Sequence, residues 1–238
     1  MIGTGTLVNS AAVIVGGLAG LTLKKGIKQR FQDILTQAIG LAVIFIGISG
    51  GMSQLLLLTD GKFETRDPMV LIISMVFGAL LGEAVNIEGY AERFGTWLKH
   101  KAKSDGDSLF IEGFVTTSLT ICIGAMAVVG AINDGLTGDA SMLYMKAILD
   151  LVIVIIFAST YGLGVVFSVI PLAVFQGSIT LLARVIAPYL TDSVIDTMSM
   201  VGSVLIFCVG VNLVFKAKIK VANLLPALLI AIGYAYLV

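Results

Sequence analysis

The sequence predicts an all-α membrane protein, a polytopic helical bundle with about eight spans, and three observations lead to that prediction. Of its 238 residues, 58% are apolar and only 13% are charged. The mean hydropathy is +1.03. Because roughly a quarter of the residues in an ordinary soluble domain are charged, this chain has too few charges to cover a water-exposed surface. The apolar residues also form continuous runs, unlike the alternating pattern of barrel strands.

Eight runs are long and apolar enough to cross a bilayer, for which a helix needs about 20 residues. Only Gly162 and its neighbours separate the fifth run from the sixth, which predicts a tight hairpin or a broken helix there. The eighth run is short and reaches the last residue of the sequence. The predicted spans are residues 3–23, 34–58, 69–86, 110–132, 142–161, 163–185, 194–215 and 222–238.

The loop charges predict the orientation, because Lys and Arg collect in cytoplasmic loops. Eleven of the 15 basic residues follow the first, third and seventh spans, and four lie elsewhere. We therefore expect these three loops in the cytoplasm and both termini outside. The eleven residues are Lys24, Lys25, Lys28, Arg30, Arg93, Lys99, Lys101, Lys103, Lys216, Lys218 and Lys220, and the four are Lys62, Arg66, Lys146 and Arg184.

Two stretches within the single predicted transmembrane domain, residues 1–238, resemble each other. GLAVIFIGI begins at Gly40 and GSVLIFCVGV begins at Gly202. A duplication and a chance match between apolar stretches both stay open. If the repeat is real, corresponding helices lie five apart, and this odd offset gives the inverted pair that many transporters use. The divisions are then residues 1–86 for the first three-helix repeat, 87–107 for a cytoplasmic amphipathic segment, 108–161 for two central helices and 162–238 for the second repeat.

The loop after the third span has the pattern of a helix that lies in the cytoplasmic interface. Tyr90, Phe94, Trp97 and Leu98 recur at helical spacing among basic residues. Such a helix places its aromatic side chains in the headgroup zone and its lysines towards anionic lipid. A plain polar linker is the alternative.

Three G-x-x-x-G pairs, one in each of the first three spans, predict close helix packing. Small residues let two helix backbones approach, and that approach holds helices together in lipid. We expect these faces to pack within the chain, while a role for some of them between subunits of a homo-oligomer stays open. The pairs are Gly16 and Gly20, Gly47 and Gly51, and Gly78 and Gly82.

Polar side chains inside the first, fifth and sixth predicted spans, and at the end of the fourth, mark a candidate site for a substrate or an ion. A charged side chain in hydrocarbon is costly and normally faces a cavity or a partner. By the predicted orientation, these residues lie towards the outside or near the middle of the membrane. They are Asn9, Asn133, Asp134, Lys146, Asp150 and Gln176.

Lys146 and Asp150 lie four residues apart, so they project from one face of a helix and can pair. One interpretation is an ion pair that fixes the register of the helix. The other is a polar pocket open to the outside, in which Asp150, Asn133 and Asp134 bind a cation or proton, or Lys146 binds the carboxylate of an anionic solute. Nearby glycines permit broken helices whose backbone groups line a cavity.

The sequence gives no indication of an enzyme, a cofactor or a metal site. It has no Cys-x-x-Cys pair, no P-loop and no dinucleotide fingerprint. We expect Cys122 and Cys208 to be small buried hydrophobic residues and the single histidine, His100, to be a solvated loop residue. The net charge of zero gives no reason to expect nucleic-acid binding.

Several longer motifs carry a resemblance to a known family. They are GTLVNSAAVIVGGLAG from Gly5, CIGAMAVVGAINDGLTGD from Cys122, KAILD from Lys146, FASTYGLGVVFS from Phe157, and Phe-Gln-Gly from Phe175. Over almost its whole length the chain resembles the YqgA/YdfK-like bacterial integral membrane proteins of unknown function. Where that pattern often has proline after Cys-Ile-Gly, this chain has Ala125. The resemblance implies a multi-pass protein of the bacterial cytoplasmic membrane with its motif centred on Asn133, Asp134, Lys146 and Asp150, and it implies no substrate.

Together these observations predict a small secondary transporter or channel that moves a small ion or solute through the polar site. Its expected partners are the lipid bilayer, that ion or solute and further copies of the chain. The alternative is a non-transporting sensor or assembly partner, whose glycine faces and amphipathic helix dock another protein.

Overall fold

The computed structural model describes residues 2–24, 28–59, 62–65 and 68–237, which are almost entirely helical. Lys25, Arg66 and the last residue of the eighth predicted span lie outside the described residues. The helices of the first half are α1 Thr4–Lys24, α2 Gln29–Leu55, α3 Pro68–Val85, α4 Ile87–Lys101, α5 Phe110–Cys122 and α6 Ala125–Thr137. Those of the second half are α7 Ser141–Tyr161, α8 Val169–Leu181, α9 Ala183–Ile186, α10 Asp192–Phe215, α11 Val221–Leu224 and α12 Pro226–Ala235.

The prediction of an all-α polytopic bundle is confirmed. Among the described residues, six helical segments are long and apolar enough to cross a membrane. The fourth predicted span consists of α5 and α6, bent by 60°, and the eighth is a shorter apolar stretch, Val221–Ala235. The six segments are Thr4–Lys24, Arg30–Leu55, Pro68–Val85, Ser141–Tyr161, Leu163–Leu181 and Asp192–Phe215.

Helix α2 ends before the second predicted span does, because the chain turns into a β-hairpin. Strand β1, Leu56–Thr59, pairs antiparallel with β2, Lys62–Thr65, and Leu56 lies opposite Thr65. The prediction of a helix through residue 58 was therefore wrong. The sequence between the two strands is Asp-Gly, a dipeptide typical of two-residue hairpin turns, and it favours strand pairing over another helical turn.

Two glycines break the helices with backbone angles that other residues rarely adopt. Gly124, between α5 and α6, has a φ of 146°. The helix therefore breaks here without the proline of the family pattern. Gly162, after α7, has a φ of 91° and a ψ of −147°, and the 3₁₀ segment Leu163–Ser168 follows it. The interruption of the helix predicted between the fifth and sixth spans is confirmed.

The contacts divide the chain into two compact units. The first unit holds α1, α5, α6, α7 and α8, and the second holds α3, α10, α11 and α12. The predicted internal repeat stays a prediction. The first unit consists of Met1–Ile39, Ala91–Cys122 and Met126–Tyr189, and the second of Gly40–Tyr90, Ile123–Ala125 and Leu190–Val238.

In the first unit, α1 packs along α7 through its G-x-x-x-G pair. A Cβ atom at Gly16 would lie 2.8 Å from the carbonyl oxygen of Leu151, and one at Gly20 would collide with the backbone of Ile155. Both glycines therefore allow the two helix backbones to touch. This close approach carries the polar residues of α1 up to those of α7.

In the second unit, the other two G-x-x-x-G pairs also pack within the chain. A Cβ atom at Gly47 of α2 would lie 2.6 Å from the backbone nitrogen of Phe207 in α10. A Cβ atom at Gly78 of α3 would lie 2.6 Å from the Cβ atom of Ala227 in α12. The predicted packing of these faces within the chain is confirmed.

The segment predicted to be amphipathic is helical, as α4. In the part of α4 that belongs to the first unit, Leu98 is buried against Phe110 and Phe114. Phe94 and Trp97 stack with their ring centroids 5.7 Å apart, and both are exposed. The position of α4 in the membrane interface stays a prediction.

Candidate binding site among buried polar residues

Four of the six predicted site residues meet in the first unit, where three helices bring them together. Lys146 and Asp150 come from α7, Asn9 from α1 and Gln176 from α8. The Nζ atom of Lys146 donates to both carboxylate oxygens of Asp150, at 2.8 and 2.6 Å. Asn9 Nδ2 donates to Asp150 Oδ2 at 3.0 Å and to Gln176 Oε1 at 3.2 Å. We call these four residues the polar cluster.

The polar cluster is withdrawn from solvent. Asn9 and Gln176 have no exposed surface, and Asp150 and Lys146 are 3% and 7% exposed. Two opposite charges taken out of water depend on each other, because removal of one leaves the other without compensation. The prediction that Lys146 and Asp150 pair along one helix face is confirmed. Asn9 adds one further hydrogen bond to the carboxylate of Asp150.

The carboxylate of Asp150 determines how both amides are oriented. An ionised carboxylate only accepts hydrogen bonds, so Asn9 must turn its NH₂ group towards Asp150. The same NH₂ group also donates to Gln176 Oε1, so Gln176 must turn its carbonyl oxygen towards Asn9. Among the described residues, this arrangement leaves Asn9 Oδ1 and Gln176 Nε2 without a hydrogen-bond partner. One buried acceptor and one buried NH₂ donor thus remain beside the ion pair.

Asp134 lies at a different place in the first unit and binds the backbone of α1. The side chain is fully buried, and its two oxygens accept hydrogen bonds from the backbone nitrogens of Gly3, at 3.1 Å, and Gly5, at 3.0 Å. The first N–H groups of a helix have no partner within the helix, and a negative charge at that end is favourable. In this structure Asp134 therefore serves as an anchor for the start of α1.

Asn133 and a pair of threonines are two further polar features of the first unit. Asn133, next to Asp134 on α6, is half-buried, and within the described part of the chain no hydrogen bond joins its side chain to the polar cluster. Thr6 of α1 and Thr180 of α8 lie with their hydroxyl oxygens 3.3 Å apart, about one helical turn from Asn9 and Gln176 respectively. Sequence reasoning missed this threonine pair, because threonines are common in apolar helices and carry no signal of their own.

The described residues contain no group of three or more His, Cys, Asp or Glu side chains that could hold a metal ion. The polar cluster itself consists of one carboxylate, one ammonium and two amides. Such groups bind small ions and polar solutes by charge and hydrogen bonding.

The chain is similar to a protein family over almost its whole length. Residues 4–236 match the family described as "Protein of unknown function (DUF554)". The chain belongs to that family. The resemblance predicted from the motifs is thereby confirmed.

Two relatives extend over nearly the same length as this DUF554 protein. The uncharacterized membrane protein YdfK of Bacillus subtilis (strain 168) is 35% identical over 226 residues, which cover 95% of this chain and 93% of YdfK. The uncharacterized protein YqgA of Escherichia coli (strain K12) is 31% identical over 231 residues, which cover 95% of this chain and 94% of YqgA. No solved structure matches the chain.

The DUF554 protein also has a second group of hydrogen-bonded polar residues, in its second unit, which the sequence analysis did not predict. Glu83, at the end of α3, accepts hydrogen bonds from Lys220 and from Asn223. Asn223 is 2% exposed and accepts from the backbone nitrogen of Glu88. Glu83 lies near the end of the third predicted span, but Lys220 and Asn223 lie 137 and 140 residues further along the chain, so only the fold identifies them as its partners.

Proposed function

We propose that this DUF554 protein is a small secondary transporter or channel of the bacterial cytoplasmic membrane, with the polar cluster as the place where a small ion or solute binds. The observation that carries the proposal is the pair of buried amide groups, Asn9 Oδ1 and Gln176 Nε2, left open beside a buried ion pair. Helices α1, α7 and α8 supply the four residues of this proposed site.

The free-energy cost of burying these unpaired amide groups and the ion pair supports a binding role for the polar cluster. A buried polar group without a partner destabilises a fold by about 1–3 kcal/mol. Native proteins keep few such groups, and each calls for an explanation. A buried ion pair is also a poor stabiliser, since apolar residues of similar volume are often as stable or more so. A ligand that accepts from Gln176 and donates to Asn9, or a cation that binds Asn9 Oδ1, would account for the open groups.

The charges of Lys146 and Asp150 indicate how an ion could exchange with the ion pair at the site. The pair Lys146–Asp150 is neutral as a unit, so the site is electrically balanced when it holds no ion. A cation that binds Asp150 must compete with the Lys146 ammonium, and an anion that binds Lys146 must compete with the carboxylate. Either exchange frees one charged side chain, which can then form or release a contact with a neighbouring helix.

A break between two of the helices that carry the cluster favours the same interpretation. The helical conformation is interrupted at Gly162, after α7, and a 3₁₀ segment follows just before α8. Interrupted helices leave backbone groups that can bind ions, and such breaks line the central sites of many transporters.

Flux through proteoliposomes tests the proposal. Purified protein is reconstituted with a pH-sensitive dye inside, and proton flux is recorded with Na⁺, K⁺ or a small organic anion as the driving gradient. We expect Asp150→Asn to lower the flux at least tenfold while the protein still inserts. Asp139→Asn is the matched control, because Asp139 is exposed in the loop before α7.

The double variant Lys146→Met/Asp150→Asn distinguishes a transport site from a structural pair. If the double variant has wild-type stability and unchanged flux, the pair only fixes the helix and the proposed site is wrong. Absence of flux with every ion tested would also contradict a transport function.

A second candidate, a membrane sensor or assembly partner, has one observation in its favour. Phe94 and Trp97 of α4 are 41% and 53% exposed, next to each other on one helix face. A docking role for α4 predicts a stable co-purifying protein that is lost when both residues are replaced by serine. Retention of that protein by the double variant would contradict this role.

A further inference from the structure

A cleft in the second unit lies beside the exposed apolar face of α3. It has a volume of about 600 Å³ and opens to the surface of the protein. One wall is the face of α3, and the other is formed by the residues just before and within α11. The lining residues are Val76, Ala79, Leu80, Glu83, Ile219, Lys220, Asn223 and Leu224.

One end of this cleft presents two opposite charges. Glu83 Oε1 lies 2.5 Å from the Nζ atom of Lys220, and the side chains of Lys220 and Glu83 are 56% and 59% exposed. Because both side chains are more than half exposed, a headgroup that arrives from outside can reach them. Asn223 donates to the second oxygen of Glu83 at 2.6 Å and holds that carboxylate in place.

The rest of the cleft is apolar and follows the helix away from this charged end. Val76 and Leu80 are 52% and 63% exposed, and Ala79 lies between them on the same face. From Val76 to Glu83 the axis of α3 rises about 10 Å. Since α3 is one of the segments that can cross a membrane, this exposed face suits lipid tails, and Glu83 lies where the span ends.

We propose that the cleft binds one phospholipid whose headgroup carries a primary ammonium, of the phosphatidylethanolamine class. The ammonium donates to Glu83, the phosphate accepts from Lys220, and an acyl chain lies along Val76, Ala79 and Leu80. This site is separate from the polar cluster and does not depend on the proposed transport.

Charge complementarity selects this headgroup over other common ones. Glu83 and Lys220 are the two charged residues that line the cleft, and their charges balance, so a zwitterionic headgroup leaves no charge of the lining unmatched. An anionic headgroup such as phosphatidylglycerol pairs with Lys220 but leaves the Glu83 carboxylate facing a negative ligand. A choline headgroup has no N–H to donate to Glu83 and is bulkier at its charged end.

Native mass spectrometry of the full-length protein from detergent micelles tests the proposal. The protein is supplied with equal amounts of phosphatidylethanolamine, phosphatidylcholine and phosphatidylglycerol of matched acyl chains. We expect a single phosphatidylethanolamine to remain bound at least tenfold more often than either of the other lipids. Lys220→Gln is expected to reduce that retention at least fivefold, whereas Lys218→Gln, on the same loop but outside the cleft, leaves it unchanged.

A second variant keeps the test informative if the charged end is needed for folding. Ala79→Phe fills the apolar part of the cleft without changing its charges, and it too should reduce retention at least fivefold. Equal retention of the three lipids, preference for phosphatidylglycerol, or equal effects of Lys220→Gln and Lys218→Gln would overturn the proposal.

Discussion

The replacement of Lys146 by methionine tests whether the buried ion pair has the energetics that its geometry implies. Methionine keeps most of the length and the apolar character of the lysine stem while removing the charge. Asp150 then stays buried with only one of its neighbours, Asn9, donating to it. The change therefore leaves a carboxylate, 3% exposed, without its counter-charge.

The size of the effect follows from the distances. A unit charge about 2.8 Å from its partner interacts by about 6 kcal/mol at an effective dielectric constant of about 20. Loss of one partner of a buried pair typically destabilises a protein by about 3–5 kcal/mol, and we expect Lys146→Met to fall in that range. Lys146→Met/Asp150→Asn removes both charges and should cost only about 1 kcal/mol, since the amide introduced in place of the carboxylate can still bond to Asn9.

Unfolding in mixed detergent–SDS micelles at pH 7, followed by circular dichroism, measures these free energies. The single and double variants form a double-mutant cycle, from which the coupling energy of the pair is obtained. Lys28→Met, at an exposed position, controls for the loss of a lysine in general. A loss below about 1 kcal/mol for Lys146→Met would refute the reasoning, because it would mean that water reaches Asp150. So would a double variant whose loss equals the sum of the two single losses.

Two further predictions concern the contacts of α1. Asp134→Asn should weaken the anchor at Gly3 and Gly5 and destabilise the fold by about 1 kcal/mol, with faster hydrogen exchange confined to the first turn of α1. Uniform exchange along the chain would contradict this local effect. Gly16→Ala should destabilise by about 1–3 kcal/mol, because its Cβ would meet the backbone of α7. Gly51→Ala should not destabilise the protein, because a Cβ atom at Gly51 would lie 3.9 Å from its nearest neighbour, Ser203 Cβ. Equal losses of unfolding free energy for Gly16→Ala and Gly51→Ala in the same assay would contradict the close packing of α1 on α7.

The helices and the ion pair could be predicted because they depend on local patterns. Continuous apolar runs of about 20 residues indicate spanning helices, and a spacing of four residues places Lys146 and Asp150 on one face. That Asn9 and Gln176 join them depends on tertiary packing, since 167 residues separate the two. The prediction grouped them only because all were polar residues in apolar spans.

Other features could not be predicted for identifiable physical reasons. A carboxylate near the end of a span, such as Asp134, looks the same in sequence whether it binds a substrate or the first N–H groups of another helix. The β-hairpin was missed because the apolar run continues through residue 58, although Asp60 and Gly61 form a turn signal. Asn223 was missed because a single amide in an apolar segment indicates nothing until its partner, Glu83, is known.

The orientation predicted from loop charges leads to a last prediction, on Lys62 and Lys101. Both side chains are exposed, Lys62 in β2 and Lys101 at the end of α4. In a background without Cys122 and Cys208, single cysteines at these positions are treated with a membrane-impermeant maleimide on intact spheroplasts. We expect Lys62→Cys to be labelled directly and Lys101→Cys only after the membrane is permeabilised, because basic loops lie in the cytoplasm. Labelling of both from the same side would contradict the orientation, and with it the placement of the polar cluster towards the outer half of the membrane.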